Sequence, residues 1–269
     1  MEKRVLLCYL IGFILLYASS CSTSFEQADD NELKHIQISN DTEQLSKRVN
    51  FINKPLEVDS DKTARVFDVD SKLKGNAVYN NASDVEHTWY FVAEVASPSY
   101  QGHTLSATHV EVVDDKAYVS YNKQGNIHLG GVEVFDLSNA AYPKIISQAL
   151  FDNADVNALT ADYDGDRFNR KLWLALSHEN KGAALRQIDL RNGRISEDII
   201  DVGLSKYATT GITASANGVV RSGDYLYITA GKTHGGTFTL DVNSLNGLDV
   251  EEYSNAKYVA ANGSIPFAS

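Results

Sequence analysis

The sequence predicts an all-β fold assembled from repeated four-stranded antiparallel units, and three observations predict it. The first is a recurring pattern, Val134-Phe135-Asp136-Leu137, Gln187-Ile188-Asp189-Leu190 and Thr239-Leu240-Asp241-Val242, whose aspartates stand 53 and 52 residues apart. The second is a matched segment upstream of each, carrying Tyr118, Trp173 and Tyr227 at spacings of 55 and 54 residues. Two landmarks that share a period of about 50 define a repeat. The third is the texture within a period: short apolar runs divided by Gly, Asn and Asp turns, with no 3.6-residue apolar stripe of useful length after residue 62. Four antiparallel strands in each such period describe the blade of a β-propeller. The run Leu172 to Leu176 adds a physical check. Its leucines face one way and Trp173 and Ala175 the other, so this strand needs cover on both faces. Stacked blades supply that cover, whereas a two-sheet sandwich prefers strict in-and-out alternation.

Composition agrees with an ordinary folded chain. Of 269 residues, 43% are hydrophobic and 22% charged, with only 4 prolines and no Gly-X-Y period, which excludes collagen-like and low-complexity classes. The 35 acidic and 24 basic residues give a net charge of −11, and no basic patch stands out to offset it. A polyanion is repelled by such a field, so nucleic acid is excluded as a partner.

The chain opens with Met1-Glu2-Lys3-Arg4 ahead of an apolar run from Val5 to Leu16, and Tyr17-Ala18-Ser19-Ser20 leads to Cys21. That order reads as a secretory signal peptide over residues 1–20, its apolar run being short for a bilayer span of about 20 residues. Small residues before a single Cys resemble the lipobox of bacterial lipoproteins. The resemblance implies that Cys21 is acylated and becomes the first residue of the mature chain, its partner the membrane. Acyl chains contribute ~0.8 kcal/mol per buried CH₂, so two or three hold a domain firmly. Cys8, the only other cysteine, lies in the removed segment, so no internal disulfide is expected.

Residues 21–62 read as a polar tether, with a helical turn or two over 31–48 and too few apolar residues to hold them to a core. Gln27-Ala28-Asp29-Asp30 resembles the acidic surface-export signals of some Bacteroidetes lipoproteins, and a solvated tether explains the same residues. Residues 63–269 form the partial propeller. Ala64 to Asp70 carries the third-strand signature, with Asp68 in the place of Asp136, and 88–97 reads as a fourth strand, which makes 64–97 half a blade. Three full blades are expected over 105–151, 155–203 and 210–260. Their strands are placed near 107–113, 116–121, 131–137 and 144–151; near 156–162, 170–176, 184–190 and 196–202; and near 212–220, 224–229, 236–242 and 248–260. The next aromatic landmark falls near position 282, beyond Ser269. Half a blade leaves sheet edges unpaired, so the phase leads to the expectation of a C-terminally truncated, incomplete ring, or of closure through a second chain.

Ala117-Tyr118-Val119-Ser120-Tyr121, Gly130-Gly131-Val132-Glu133-Val134-Phe135-Asp136-Leu137 and Gly235-Gly236-Thr237-Phe238-Thr239-Leu240-Asp241-Val242 resemble the LVIVD-type repeats of bacterial propeller lipoproteins. The similarity spans roughly residues 105 to 260. It implies a propeller fold and residence in the bacterial envelope, with anchoring to the outer membrane and display at the cell surface as the expectation; it implies no shared catalytic residue.

Candidate chemistry is sparse. Asp162, Asp164 and Asp166 alternate as oxygen ligands do around Ca²⁺, but Arg167 and Arg170 stand where that loop needs Gly and an acid, so a metal is not assigned. Gly231-Lys232-Thr233 looks like the end of a phosphate loop, yet it lacks the earlier glycine and precedes another strand, so a hairpin turn is preferred. His103, His109, His128 and His234 fall near strand ends or loops without a helical His-x-x-x-His pair. His109 and Glu111 share one strand face. There is no Gly-x-Ser-x-Gly and no mature thiol nucleophile beyond Cys21. No catalytic residue and no cofactor are assigned. The reading is therefore a non-catalytic scaffold that binds a protein or a glycan, with an envelope enzyme built on the axial face of the propeller as the alternative.

Overall fold

The computed structural model describes residues 30–56, 89–208, 215–231, 235–253, 255–262 and 265–268. In chain order its elements are α1 (Asp30–Leu33), β1 (Ile36–Ser39), α2 (Thr42–Ser46), β2 (Val49–Leu56), β3 (Trp89–Val95), β4 (Ser99–Tyr100), β5 (His103–Thr104), β6 (Ser106–Val113), β7 (Lys116–Asn122), β8 (Gly130–Asp136), β9 (Lys144–Phe151), β10 (Ala154–Ala161), β11 (Lys171–His178), β12 (Gly182–Arg191), β13 (Arg194–Gly203), β14 (Ala216–Ser222), β15 (Tyr225–Ala230), β16 (Gly236–Asp241), β17 (Gly247–Glu252), β18 (Val259–Asn262) and β19 (Ile265–Ala268). The fold is all-β and antiparallel. Among the described residues no helix is long and apolar enough to cross a membrane.

Three four-stranded meanders follow one another, β6 to β9, β10 to β13 and β14 to β17. They lie within one to four residues of the strands expected from the sequence, apart from the last. Local signals place them. Asn192 and Gly193 both have positive φ, 54° and 72°, the geometry of a two-residue hairpin turn whose twist matches that of its strands, and they join β12 to β13. The repeated aspartates serve turns too: Asp136 Oδ1 accepts from the Ser138 amide at 3.0 Å, and Asp241 Oδ1 from Ser244 at 2.7 Å. Tyr118, Trp173 and Tyr227 pair across the ladder with Val134, Gln187 and Thr239, each two residues before the repeated aspartate. They are therefore equivalent positions, and all three are buried.

The sheets stack face to face in chain order. Leu172, Leu174 and Leu176 of β11 pack with Tyr118, Val132, Val134 and Phe151 of the first sheet. On its other face, Trp173 and Ala175 pack with Leu226, Ile228, Phe238 and Leu240 of the third. The buried indole is satisfied by Gln187 Oε1 at 3.1 Å. Close approach of sheets also explains a glycine of the repeated pattern: a Cβ on Gly130 would lie 2.5 Å from Ala154 O.

Three expectations need correction. Residues 30–56 are not a free tether. β1 pairs with β9, from Ile36↔Phe151 to Ser39↔Gln148, as a fifth strand of the first sheet, and Leu45 of α2 packs with Ala117, Phe135 and Ile145. Sparse apolar residues sufficed because they fall on an existing edge and face. The segment 88–97, expected in a half blade whose partner is missing, pairs over Trp89–Val95 with β2; Asp68 and the rest of 57–88 lie outside the described residues. The fourth strand expected over 248–260 ends at Glu252, and β18 and β19 form a separate hairpin packed on β14. Asn255, at φ 64°, breaks the strand there. The signal peptide and Cys21 also lie outside the described residues.

Candidate functional site

Every first strand of a sheet begins, and every second strand ends, at one end of the stack, hereafter the leading end. At this end each first strand carries a bulge, at Thr108 in β6, Asn157 in β10 and Asn217 in β14. A bulge re-aims its side chain out of the alternating pattern, and here all three reach the next unit. Thr108 Oγ1 donates to Val156 O at 2.8 Å. Asn157 Nδ2 donates to Ala216 O at 2.8 Å and to Ser215 Oγ at 2.9 Å. Asn217 Nδ2 donates to Ala256 O at 2.7 Å. Val156 and Ala216 each immediately precede the next bulged residue, so the clasp is itself a repeat. The sequence hides it, because these residues are 49 and 60 apart and out of step with the aspartates.

Beside the last clasp opens a cleft of about 640 Å³ lined by Asn157, Ser215, Asn217, Gly231, Asn255, Lys257 and Tyr258. Its donors and acceptors are amides, a hydroxyl and an ammonium, with the Tyr258 ring 73% exposed at the rim. None of the described lining residues is a carboxylate, imidazole or thiol.

The leading end also holds a histidine singled out in the sequence that, alone of that set among the described residues, gains a carboxylate. His128 Nδ1 lies 3.2 Å from Asp155 Oδ2. Burial pushes the Asp155 carboxyl up to about 6, although the neighbouring imidazole pulls it down. Asp155 Oδ1 and Asn122 Oδ1 are buried without a hydrogen-bond partner, the condition in which a polar group gains most from a ligand or an ordered water. Asp155 was missed in the sequence because it precedes a bulge by two residues and matches no motif. His103 sits in the β4–β5 hairpin and is not joined to this pair. His109 is exposed on β6, and its strand-mate Glu111 is occupied by the Ala161 amide at 3.1 Å. His234, Lys232 and Thr233 lie outside the described residues. Gly231 immediately follows β15, whose antiparallel partner is the next strand, β16, so the chain passes from strand to strand with no helix N-terminus among the described residues to receive a phosphate.

The acidic loop sits at the opposite end. Asp162 and Asp164 pair with the Arg221 guanidinium, Asp162 Oδ1 accepts from the Asp164 and Gly165 amides, and Asp166 accepts from Phe168 and Asn169. These bonds hold a turn, and the three carboxylates do not converge. Among the described residues, Glu32, His178 and Asp201 alone bring three potential metal ligands together, within 4.8 Å. That cluster already has its cations. Arg186 Nε and Nη2 bind Asp201 at 2.7 and 2.6 Å, and Lys181 Nζ bridges Glu32 at 2.9 Å and Asp201 at 3.2 Å. His178 Nδ1 accepts from the Asn180 and Lys181 amides, so its proton belongs on Nε2, facing Glu32 at 3.2 Å. Burial lowers the His178 pKa despite both carboxylates, which keeps this ring neutral. Burial would raise the pKa values of Glu32 and Asp201, but Lys181 with His178 in the first case, and Arg186 with Lys181 in the second, outweigh it. A metal would have to displace two paired cations, so the donor set does not fit one.

Against protein-family models, curated proteins and solved structures, the chain matches none.

Proposed function

We propose that this protein is a lipoprotein of the bacterial outer membrane, acylated at Cys21, whose stacked four-stranded sheets are blades of a β-propeller serving as a non-catalytic binding scaffold. The ligand is a protein or a glycan, held in the cleft at the leading end. The cleft carries this reading, because amides, a hydroxyl, one ammonium and an exposed tyrosine ring suit hydrogen-bonding and stacking recognition and lack a positioned acid and base. The repeated clasp supports the propeller, since each sheet grips the next in one sense, and Ala256, on the approach to β18, receives the last grip.

The test is a glycan and envelope-protein binding screen with the wild-type chain, followed by Tyr258→Ala and Lys257→Ala. Both residues are exposed, so the expected result is loss of at least tenfold in affinity with unchanged unfolding. Binding untouched by either substitution would place the site elsewhere. Mass spectrometry of the mature N-terminus tests the anchor, an unmodified Cys21 counting against it. A second reading, an envelope enzyme, is favoured by the His128–Asp155 pair. If it holds, a hydrolytic or transfer activity found in a substrate screen disappears in His128→Ala.

A further inference from the structure

We propose that the leading end of the molecule, with its cleft, faces the membrane surface; this rests on the reading of Cys21 as the acylated residue. Among the described residues, Glu32 is the first side chain fixed to the fold. Its carboxylate meets Asn153 Nδ2 at 3.0 Å, His178 Nε2 at 3.2 Å and Lys181 Nζ at 2.9 Å. Asn153 immediately precedes β10, His178 ends β11, and Lys181 immediately precedes β12. All three therefore mark the leading end. The cleft is built at that same end, from β10 near its start (Asn157), the residues at the start of β14 and just before it (Asn217, Ser215), the residue after β15 (Gly231) and the approach to β18 (Asn255, Lys257, Tyr258).

The length of the leash turns this coincidence into an orientation. Glu32 follows Cys21 by eleven residues, which span at most ~40 Å when fully extended. β10 has eight residues, or about 26 Å. To present the opposite end, the leash would have to run beside a whole strand, leaving at most ~14 Å to clear the domain and reach the lipid. From the leading end no such detour is needed. The interlocked bonds of Glu32 with Lys181, His178 and Asn153 prevent the attachment point from sliding toward the other end.

The mature chain offers a clean test, because Cys21 is its only cysteine and acylation consumes that thiol. Single cysteines are introduced at exposed Gln124, in the β7–β8 loop of the leading end, or at exposed Ala140, in the β8–β9 connection of the opposite end. Each full-length lipidated variant is labelled with a donor fluorophore and reconstituted into phosphatidylcholine vesicles containing a rhodamine lipid. Energy transfer is expected to be at least twofold more efficient from position 124 than from position 140. Inserting about twenty Gly/Ser residues after Ser24 lengthens the leash and is expected to erase the difference. Equal or reversed transfer in the unlengthened variants overturns the orientation. Protein that fails to float with the vesicles overturns the anchoring reading itself, and the two failures are told apart by flotation alone.

Discussion

The first two sheets and the third solve one structural problem in opposite ways. Three residues before each repeated aspartate stand Glu133, Arg186 and Phe238, paired across the ladder with Gln148, Asp201 and Val250. All three side chains are fully buried. In the third sheet the position is apolar and lies in the core shared with the second. In the first two it is charged, and the N-terminal segment brings a countercharge to each. Arg48 reaches Glu133, which also accepts from Tyr121 Oη at 2.8 Å and Gln148 Nε2 at 2.5 Å. Glu32 reaches the group of Arg186, Lys181 and His178. Residues 30–48 are thus laid across two sheets with an acid at one contact and a base at the other. The backbone of the repeat does not dictate the chemistry of this position; what lies beside it does. These contacts also fix register, because shifting the segment would leave Glu133 buried without its cation.

The largest expected effect comes from breaking the second of these contacts. Arg186→Ala leaves Asp201 buried without its main partner and should cost about 4 kcal/mol in urea unfolding. Copying the third sheet's solution, with Arg186→Phe and Asp201→Val together, should recover more than half of that loss. If it does not, the two kinds of sheet are not interchangeable at this position.

Glu32→Ala sharpens the comparison by loosening the N-terminal segment alone, at ~1–2 kcal/mol. Hydrogen exchange should rise over 36–39 and stay unchanged over 216–252. Because Glu32 has its pKa lowered in the fold, its stabilisation is present above the unfolded value, near 4.5, and is lost as pH falls through the folded value. Wild type and Glu32→Ala should therefore converge in stability at strongly acid pH. Equal exchange over 36–39 in both proteins would mean that β1 is held by its ladder alone.

Asp155 has the opposite sign. Its pKa is raised to about 6 from 3.8, so its ionised form is destabilising above pH 6, and this cost is relieved as pH falls toward 3.8. Asp155→Asn should stabilise the protein at pH 7.5 by about 2 kcal/mol, with the gain gone by pH 3.5. No gain at pH 7.5 would show that the imidazole of His128 fully offsets the burial. The smallest effects belong to the clasps: Asn157→Ala and Asn217→Ala should each cost ~1 kcal/mol, the second acting on the third sheet and its hairpin without disturbing the first.

The elements legible in the sequence are those coded by neighbours in the chain. The Gly, Asn and Asp breaks between apolar runs mark the hairpins, the repeated aspartates mark the period, and the alternation around Trp173 marks a strand covered on both sides. Elements set by distant partners were not legible. Ile36 pairs with Phe151 across more than a hundred residues of chain, and nothing local in Ile36-Gln37-Ile38-Ser39 names that edge. The candidate site divides in the same way. His128 stood out as a titratable residue in a loop, but Asp155 became its partner only through the stacking of the second sheet on the first.

By itself, then, the sequence determined the all-β class, the period of about fifty residues, the equivalence of Tyr118, Trp173 and Tyr227 and most strand boundaries, because hydrophobic alternation and turn chemistry act over a few residues. Tertiary structure alone decided the docking of residues 30–56, the charged contacts at Glu133 and Arg186, the bulge clasps and the cleft. Each depends on side chains whose partners lie in another sheet, and such a partner is chosen by proximity in space, where low dielectric and buried polar groups make pairing compulsory.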